Sequence, residues 1–229
     1  MTPRARAGNN RPMYVVAFNG SPRRDGSTAI LLQKALEGAA SRGAETELLH
    51  LVDIPMSGCL ACYSCKKRGG PSFGKCVQAD GMAGLYARME RAQGILLGSP
   101  IYFGAITAAT KAFLERLFPY FHYGGAPSSF PRKARVGFIV TSGADAEQLE
   151  KAFRQHMELC RMILQRVLGP AELLTSTDTL HVEDYSDSVA EALEPLVPRK
   201  LEHRRTVFPE DCRRAFDMGA GLAGDSPPG

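Results

Sequence analysis

No uninterrupted apolar stretch in the chain reaches the ~18 residues that a membrane-crossing helix needs. The basic N-terminal MTPRARAGNNRP leads into MYVVAFNGSP, whose apolar run is too short for the h-region of a secretory signal. Neither a membrane partner nor export is expected, and a cytoplasmic location follows as the expectation. Lys and Arg outnumber Asp and Glu by 28 to 24, a net charge of +4, but they are scattered. With no dense basic run interleaved with aromatics, nucleic acid is not an expected partner either. Internal repeats are absent. No G-x-G-x-x-G follows the first apolar run, and no G-K-[ST] supplies a Walker lysine and magnesium ligand, which weighs against ATP chemistry and Rossmann-type dinucleotide binding. His50, His122, His156, His181 and His203 form no H-E-x-x-H and no compact ligand set.

What the chain does have is a regular alternation of short apolar runs and amphipathic segments. MYVVAFN, from Met13 to Asn19 and closed by Gly20, suits a strand buried on both faces. After the polar loop GSPRRDG, the segment STAILLQKALEGAASRG spaces Leu31, Ala35, Leu36 and Ala39 along one helical face, with Ser27 or Thr28 as cap and Gly43 as stop. TELLHL, GILLGSP and ARVGFIVTS read as further strands, with MAGLYARMERA and TAATKAFLERLF as the helices between them. DAEQLEKAFRQHMELCRMILQRVLG is predicted as the longest helix, and AELLTSTDTL carries the fifth strand. EALEPLVPRKLEHRR and PEDCRRAFDMGAGLAG give two more helices, the second started by Pro209.

Five strands alternating with helices predict an α/β fold, because parallel neighbours need crossovers and right-handed crossovers cover both faces. The expectation is a flavodoxin-like, doubly wound, five-stranded parallel sheet of order 2-1-3-4-5. With 44% hydrophobic and 23% charged residues, the composition suits one globular domain over residues 13–223, ending in a helical extension, with residues 1–12 and 224–229 as disordered tails.

Open α/β sheets bind ligands beyond the carboxyl ends of their strands. The loops there are GSPRRDGST, SPIYFGAIT and TSGAD. The first ends at a helix N-terminus, whose free N–H groups and dipole favour an anion such as phosphate. By itself it serves equally well as a turn with a helix cap. The second sets Tyr102 and Phe103 between Pro100 and Gly104, where backbone amides and aromatic faces suit a flat heterocycle; packing onto the following helix is the alternative.

FNGSPRRDGSTAILLQKALEGA, GSPIYFGAITAATKAFLER and the intervening C-x2-C-x2-C followed by GKCVQADGM resemble the flavodoxin-like NADPH-dependent FMN reductase family, especially its iron-sulfur flavoprotein branch. The resemblance covers about Val15 to Ser142. It implies an FMN phosphate held by Ser21, Arg23, Ser27 and Thr28. It also implies an isoalloxazine ring against Pro100, Ile101, Tyr102, Phe103 and Gly104, with Ser142 and Gly143 closing the pocket. NAD(P)H is the implied electron donor, without a dinucleotide fingerprint of its own, since the nicotinamide needs only to stack on the flavin. The acceptor, a small molecule or a protein, is not identified by the resemblance, which also suggests a homodimer or homotetramer. No side chain is required as nucleophile. Each of the five histidines reads as a surface or internally satisfied residue; His122, in FPYFHYGG, is the one whose loop, following the flavin-side helix, has covering the ring as its alternative.

Four of the six cysteines, Cys59, Cys62, Cys65 and Cys76, lie in CLACYSCKKRGGPSFGKC. A reducing compartment favours metal binding or catalysis over disulfides. Four thiolates suffice for a [4Fe-4S] or [2Fe-2S] cluster, and three overlapping cysteines suit iron better than the paired hairpins of zinc ribbons. The gap between Cys65 and Cys76, KKRGGPSFGK, is longer than the resembled branch uses. It either loops out at small entropic cost or marks a relative that keeps the thiols without the cluster. Cys160 and Cys212 stand alone as apolar fillers.

Overall fold

The computed structural model describes residues 12–182, 185 and 191–224. Its strands are β1 (Tyr14–Asn19), β2 (Glu45–His50), β3 (Gly94–Tyr102), β4 (Ala105–Ile106), β5 (Arg135–Thr141) and β6 (Ala171–Ser176). The parallel sheet runs β2-β1-β3-β5-β6, while β4 pairs antiparallel with the end of β3. The flavodoxin-like, doubly wound order is as expected from the sequence. The addition is β4, a two-residue strand made where the chain folds back through Phe103 and Gly104, both at positive φ (48° and 82°). Left-handed conformation at both central residues is what a tight hairpin's twist demands.

The helices are α1 (Ser27–Ser41), α2 (Met82–Arg91), α3 (Ala108–Glu115), α4 (Ala146–Gln148), α5 (Arg154–Val167), α6 (Val197–Thr206) and α7 (Phe208–Leu222). Strand alternation sorts the core into two layers. Val16, Phe18, Ile95, Leu97, Phe138 and Val140 face Leu85, Met89, Phe113 and Leu164. Val15, Ala17, Leu96 and Ile139 face Leu31, Leu32, Ala35, Ala215 and Leu222. On that second side α1 and α7 nearly touch backbones: a Cβ at Gly219 would lie 1.7 Å from the Ala35 carbonyl oxygen. Only glycine permits that approach.

Local details differ from the sequence expectation. Gly26, not Ser27 or Thr28, is the N-cap of α1, and no side chain caps it. The predicted longest helix is interrupted: α4 passes into a π-helical turn (Leu149–Phe153) before α5 begins. The segment preceding α7 starts as a 3-10 helix (Glu191–Leu196) containing Pro195, and only then becomes α6. The predicted fifth strand ends at Ser176, so TDTL forms a loop. Of the expected tails, 1–12 and 224–229, residues 1–11 and 225–229 lie outside the described residues. Among the described residues no helix is long and apolar enough to cross a membrane.

Candidate functional site

At the carboxyl ends of β1, β3, β5 and β6, four loops enclose a cleft. The first wall is built by short-range hydrogen bonds. Asn19 Oδ1 accepts from the Ser21 amide at 2.9 Å, and Ser21 Oγ accepts from the Arg23 amide at 3.1 Å, folding the loop back onto α1. Gly20 fastens the turn to α3: its carbonyl accepts from Thr107 Oγ1 at 2.7 Å. A Cβ there would lie 1.8 Å from Thr110 Oγ1, so no side chain fits. Gly26, Ser27 and Thr28 line the cleft with no side chain capping the helix and no acidic residue in its first turn. The first-turn N–H groups therefore stand at the cleft wall without a side-chain acceptor, as an anion site requires.

The hydroxyl of Thr28 is already engaged, buried against Thr141 Oγ1 at 2.7 Å. Arg23 reaches across the cleft, its Nη1 donating to the His181 carbonyl at 2.7 Å. The guanidinium keeps further donors for a ligand on the cleft side.

Pro100, Ile101 and Tyr102 form the second wall, and Gly143 belongs to the third. Phe103, Gly104 and Ser142 do not line the cleft. Phe103 sits at the hairpin tip with its ring fully in solvent, and Ser142 is buried with its Oγ accepting from the Ala144 amide at 3.1 Å.

The fourth wall, Thr179, Leu180 and His181, was not anticipated. The His181 imidazole stands directly on Gly143, where an added Cβ would lie 2.3 Å from Nε2. Burial, then the cations of Lys200 and Arg23, hold that imidazole below its ordinary range. The signal was available: a loop at the carboxyl end of the fifth parallel strand belongs to the same crevice as those after the first, third and fourth.

The cysteines occupy a separate lobe between β2 and α2. Cys59, Cys62, Cys65 and Cys76 line one small pocket with Glu115, Arg116, Phe118 and Pro119. Cys65 is buried, Cys62 exposed, and all six cysteines of the chain are free thiols. Burial pushes the Cys65 thiol up, whereas hydrogen bonds from Ser64 pull the Cys62 thiol down. Among the described residues no three Cys, His, Asp or Glu side chains are assembled to hold a metal ion. The pocket nevertheless has an anion-seeking floor. Arg116, 1% exposed, binds Asp80 through Nη1 (2.6 Å) and Nη2 (3.0 Å) while its buried Nε has no partner.

Lys66 ties the lobe to the 118–123 segment, donating to the Pro119 carbonyl at 2.9 Å and to Phe121. Tyr63 and Tyr123 meet through their hydroxyls at 3.1 Å. That segment, carrying His122, therefore packs on the cysteine lobe and does not line the cleft.

Several comparisons bear on this architecture. An iron-sulfur flavoprotein of Methanocaldococcus jannaschii is 36% identical over 132 residues, 58% of this chain and 63% of that one. An iron-sulfur flavoprotein of Archaeoglobus fulgidus is 33% identical over 121 residues, 50% of this chain and 53% of the other. The chain thus spans between half and two thirds of these curated relatives. Among solved structures, an NAD(P)H:quinone oxidoreductase from Methanothermobacter marburgensis superposes with TM-score 0.67 at 15% identity, covering 95% of this chain and all of the other. An FMN-dependent NADH-azoreductase from Bacillus anthracis, in complex with FMN, superposes with TM-score 0.60 at 14% identity, covering 92% of this chain and 100% of that one. These two show a shared fold. The profile of the NADPH-dependent FMN reductase family matches residues 13–178, and the chain belongs to that family.

Proposed function

We propose that this chain is an FMN-dependent oxidoreductase, taking electrons from NAD(P)H or a ferredoxin-type donor and passing them to a small-molecule or protein acceptor. One observation carries the reading: at the strand ends of a family member, the uncapped N-terminus of α1 and the Pro100–Tyr102 wall open onto one cleft. FMN has the two parts such a cleft separates, a doubly charged phosphate and a planar ring. Ser21, Arg23, Ser27 and Thr28 would receive the phosphate, Thr28 through its main-chain N–H, since its hydroxyl is engaged. Pro100, Ile101 and Tyr102 would flank the ring; Phe103 and Gly104 shape that wall through the hairpin, and Ser142 supports Gly143. FMN, when bound, supplies hydride and one-electron chemistry; the chain binds and orients it and limits water at its edge.

We further propose that Cys59, Cys62, Cys65 and Cys76 hold an iron-sulfur cluster, preferably [4Fe-4S]. The name of the two relatives, the soft four-thiol donor set and the buried, part-unpaired Arg116 guanidinium beneath it support this. A cluster-free NAD(P)H-dependent reductase of quinones, nitro compounds or flavin is the second reading, favoured by the unassembled cysteine side chains. A non-catalytic flavin carrier is the third. The same reading includes a cytoplasmic, one-domain protein over residues 13–223. It is a homodimer or homotetramer, to which the exposed Leu159, Met162 and Ile163 on one face of α5 lend support.

The test is protein purified without oxygen. Flavin, iron and acid-labile sulfide together, with NAD(P)H oxidation on adding quinone or ferricyanide, are expected. Flavin without iron or sulfide after reconstitution would make the cluster-free reductase the better reading. Flavin with neither nucleotide oxidised would count against a reductase.

A further inference from the structure

Lys200 is the only lysine buried without measurable exposure among the described residues, and it lies beyond the segment that the family profile matches. An ammonium leaves water only at high cost unless acceptors replace the hydration shell. Here they come from two cleft walls. Nζ of Lys200, carried on α6, donates to the Gly143 carbonyl after β5 and, at 3.5 Å, to the Thr179 carbonyl after β6, with Asp178 Oδ1 at 3.9 Å. Burial lowers its proton affinity and Asp178 works in the opposite direction.

The neighbouring residue reinforces the arrangement. Arg199 binds Asp178 at 2.6 Å and approaches Asp145, the N-cap of α4, at 3.6 Å. Main-chain bonds join the same two loops, from the Asp178 amide to the Ala144 carbonyl (2.8 Å) and from the Thr179 amide to the Ser142 carbonyl (3.0 Å). Above the ammonium, Gly143 supports the His181 ring at the cleft wall, and the His181 carbonyl receives Arg23 from the opposite side.

We propose that Lys200 is the positioning residue of the ring end of the cleft: its ammonium, delivered by α6, clamps the Gly143 and Thr179 loops together, and so sets the wall against which the flavin ring lies. The flavin site is then completed by the C-terminal extension. The proposal rests on the FMN reading for its ligand, while the clamp itself has a readout that needs no ligand.

Lys200→Met tests it, because the methionine has comparable bulk and Asp178 retains Arg199 as its partner. With flavin absent, the amides of Asp178 and Thr179 should exchange with deuterium at least about tenfold faster, while those of β1 and β3 are unchanged. FMN and riboflavin should both bind at least about tenfold more weakly, since the wall meets the ring whichever flavin is bound, and any extra loss for FMN reports the Arg23 bond to the His181 carbonyl. Leu222→Ala supplies the comparison: Leu222 packs beside Gly94, at the opposite end of β3, so that variant should lower Tm and leave both affinities unchanged. A folded Lys200→Met protein with normal exchange and normal affinity for both flavins would overturn the proposal. So would a loss confined to FMN, or a loss of affinity in Leu222→Ala that matches Lys200→Met at equal loss of Tm.

Should Lys200→Met not fold, the wild-type protein decides. Its Asp178 and Thr179 amides must then exchange as slowly as those of β5, and exchange at the rate of an open loop would refute the clamp. If wild-type protein binds no flavin at all, the FMN reading fails while the exchange comparison still judges the clamp.

Discussion

The cleft at the strand ends and the cysteine lobe are built in opposite ways. The cleft stands on strand ends, and its walls are fixed by the sheet register, the buried Thr107–Gly20 and Thr28–Thr141 hydrogen bonds, and the Lys200 clamp. The lobe has no strand of its own. It contains Ala61 and Tyr63 in left-handed conformations, with φ of 51° and 55°, and exposes Leu60, Tyr63, Phe73 and Val77. What fastens it is a few charged contacts: Arg116 to Asp80 and to the Ser57 carbonyl (3.0 Å), Glu115 to the Cys59 amide (3.1 Å), and Lys66 to the carbonyls beyond α3. A site on a scaffold keeps its geometry without its ligand. A loop held by one ion pair and a few side-chain hydrogen bonds gains much of its order from what it holds, which is consistent with thiols that share a pocket without forming a closed ligand set.

The comparison breaks most sharply at Arg116. Arg116→Met leaves Asp80 without its buried partner, a change worth on the order of 3 kcal/mol where a buried pair loses one member. Asp80 Oδ1 also accepts from the Met82 amide at the start of α2, at 3.1 Å. The expected outcome is loss of iron from protein made without oxygen and faster labelling of Cys65, while FMN affinity stays near wild type. Parallel loss of FMN would mean that lobe and cleft are one cooperative unit.

At the phosphate end, Arg23→Ala combined with Ser27→Ala should weaken FMN at least about tenfold more than riboflavin, because a charge-assisted bond contributes about 1.5 to 3 kcal/mol. Equal losses for the two flavins in titrations would place the phosphate elsewhere. The pattern is the reverse of that expected for Lys200→Met, so the pair of experiments separates the two ends of the cleft.

A smaller effect follows from His181. Its proton affinity in the folded protein is depressed below the ordinary imidazole value of 6.5 by burial and by Lys200 and Arg23. Below that value the unfolded chain takes up a proton that the folded one resists. The contribution to stability is therefore present above pH 6.5 and is lost as pH falls through the folded value. Melting curves over that range should show wild type losing stability more steeply than His181→Gln. Identical slopes would mean that this imidazole is not the group responsible.

Much of this was legible in the sequence because the cues were periodic. Apolar runs such as VVAF and ILLG can only be buried strands when helical faces like Leu31, Ala35 and Ala39 alternate with them, and their carboxyl ends locate the crevice. What escaped was set by tertiary contact. Gly26 takes the cap position because it is the last extended residue (φ −69°, ψ 167°) before the helix starts at Ser27, a one-residue boundary that spacing alone does not fix. Lys200 reads as one more basic residue in PRKLEHRR, since nothing local says that a lysine's acceptors lie in loops 21 and 57 residues away in sequence. Nor does the 118–123 segment announce where it packs, because its contacts come from Lys66 and Tyr63, which reach it from the lobe.

Phe103 offers the mildest test of how the two kinds of region divide. The resemblance places it against the ring, yet its side chain projects wholly into solvent at the tip of the β3–β4 hairpin, with φ at 48°. The neighbouring Tyr102 is the aromatic residue that lines the cleft. If the scaffolded cleft is complete within one chain, Phe103→Ala removes only an exposed ring and should leave FMN affinity within about twofold, the range of a surface substitution of about 0.5 kcal/mol. The hairpin should survive, since alanine adopts the left-handed conformation no less readily than phenylalanine does. A loss well beyond twofold would show that the tip closes on flavin, or that it enters the cleft of a second copy. Repeating the titration at protein concentrations on either side of the oligomer's dissociation midpoint separates these, because only the second makes the penalty depend on protein concentration.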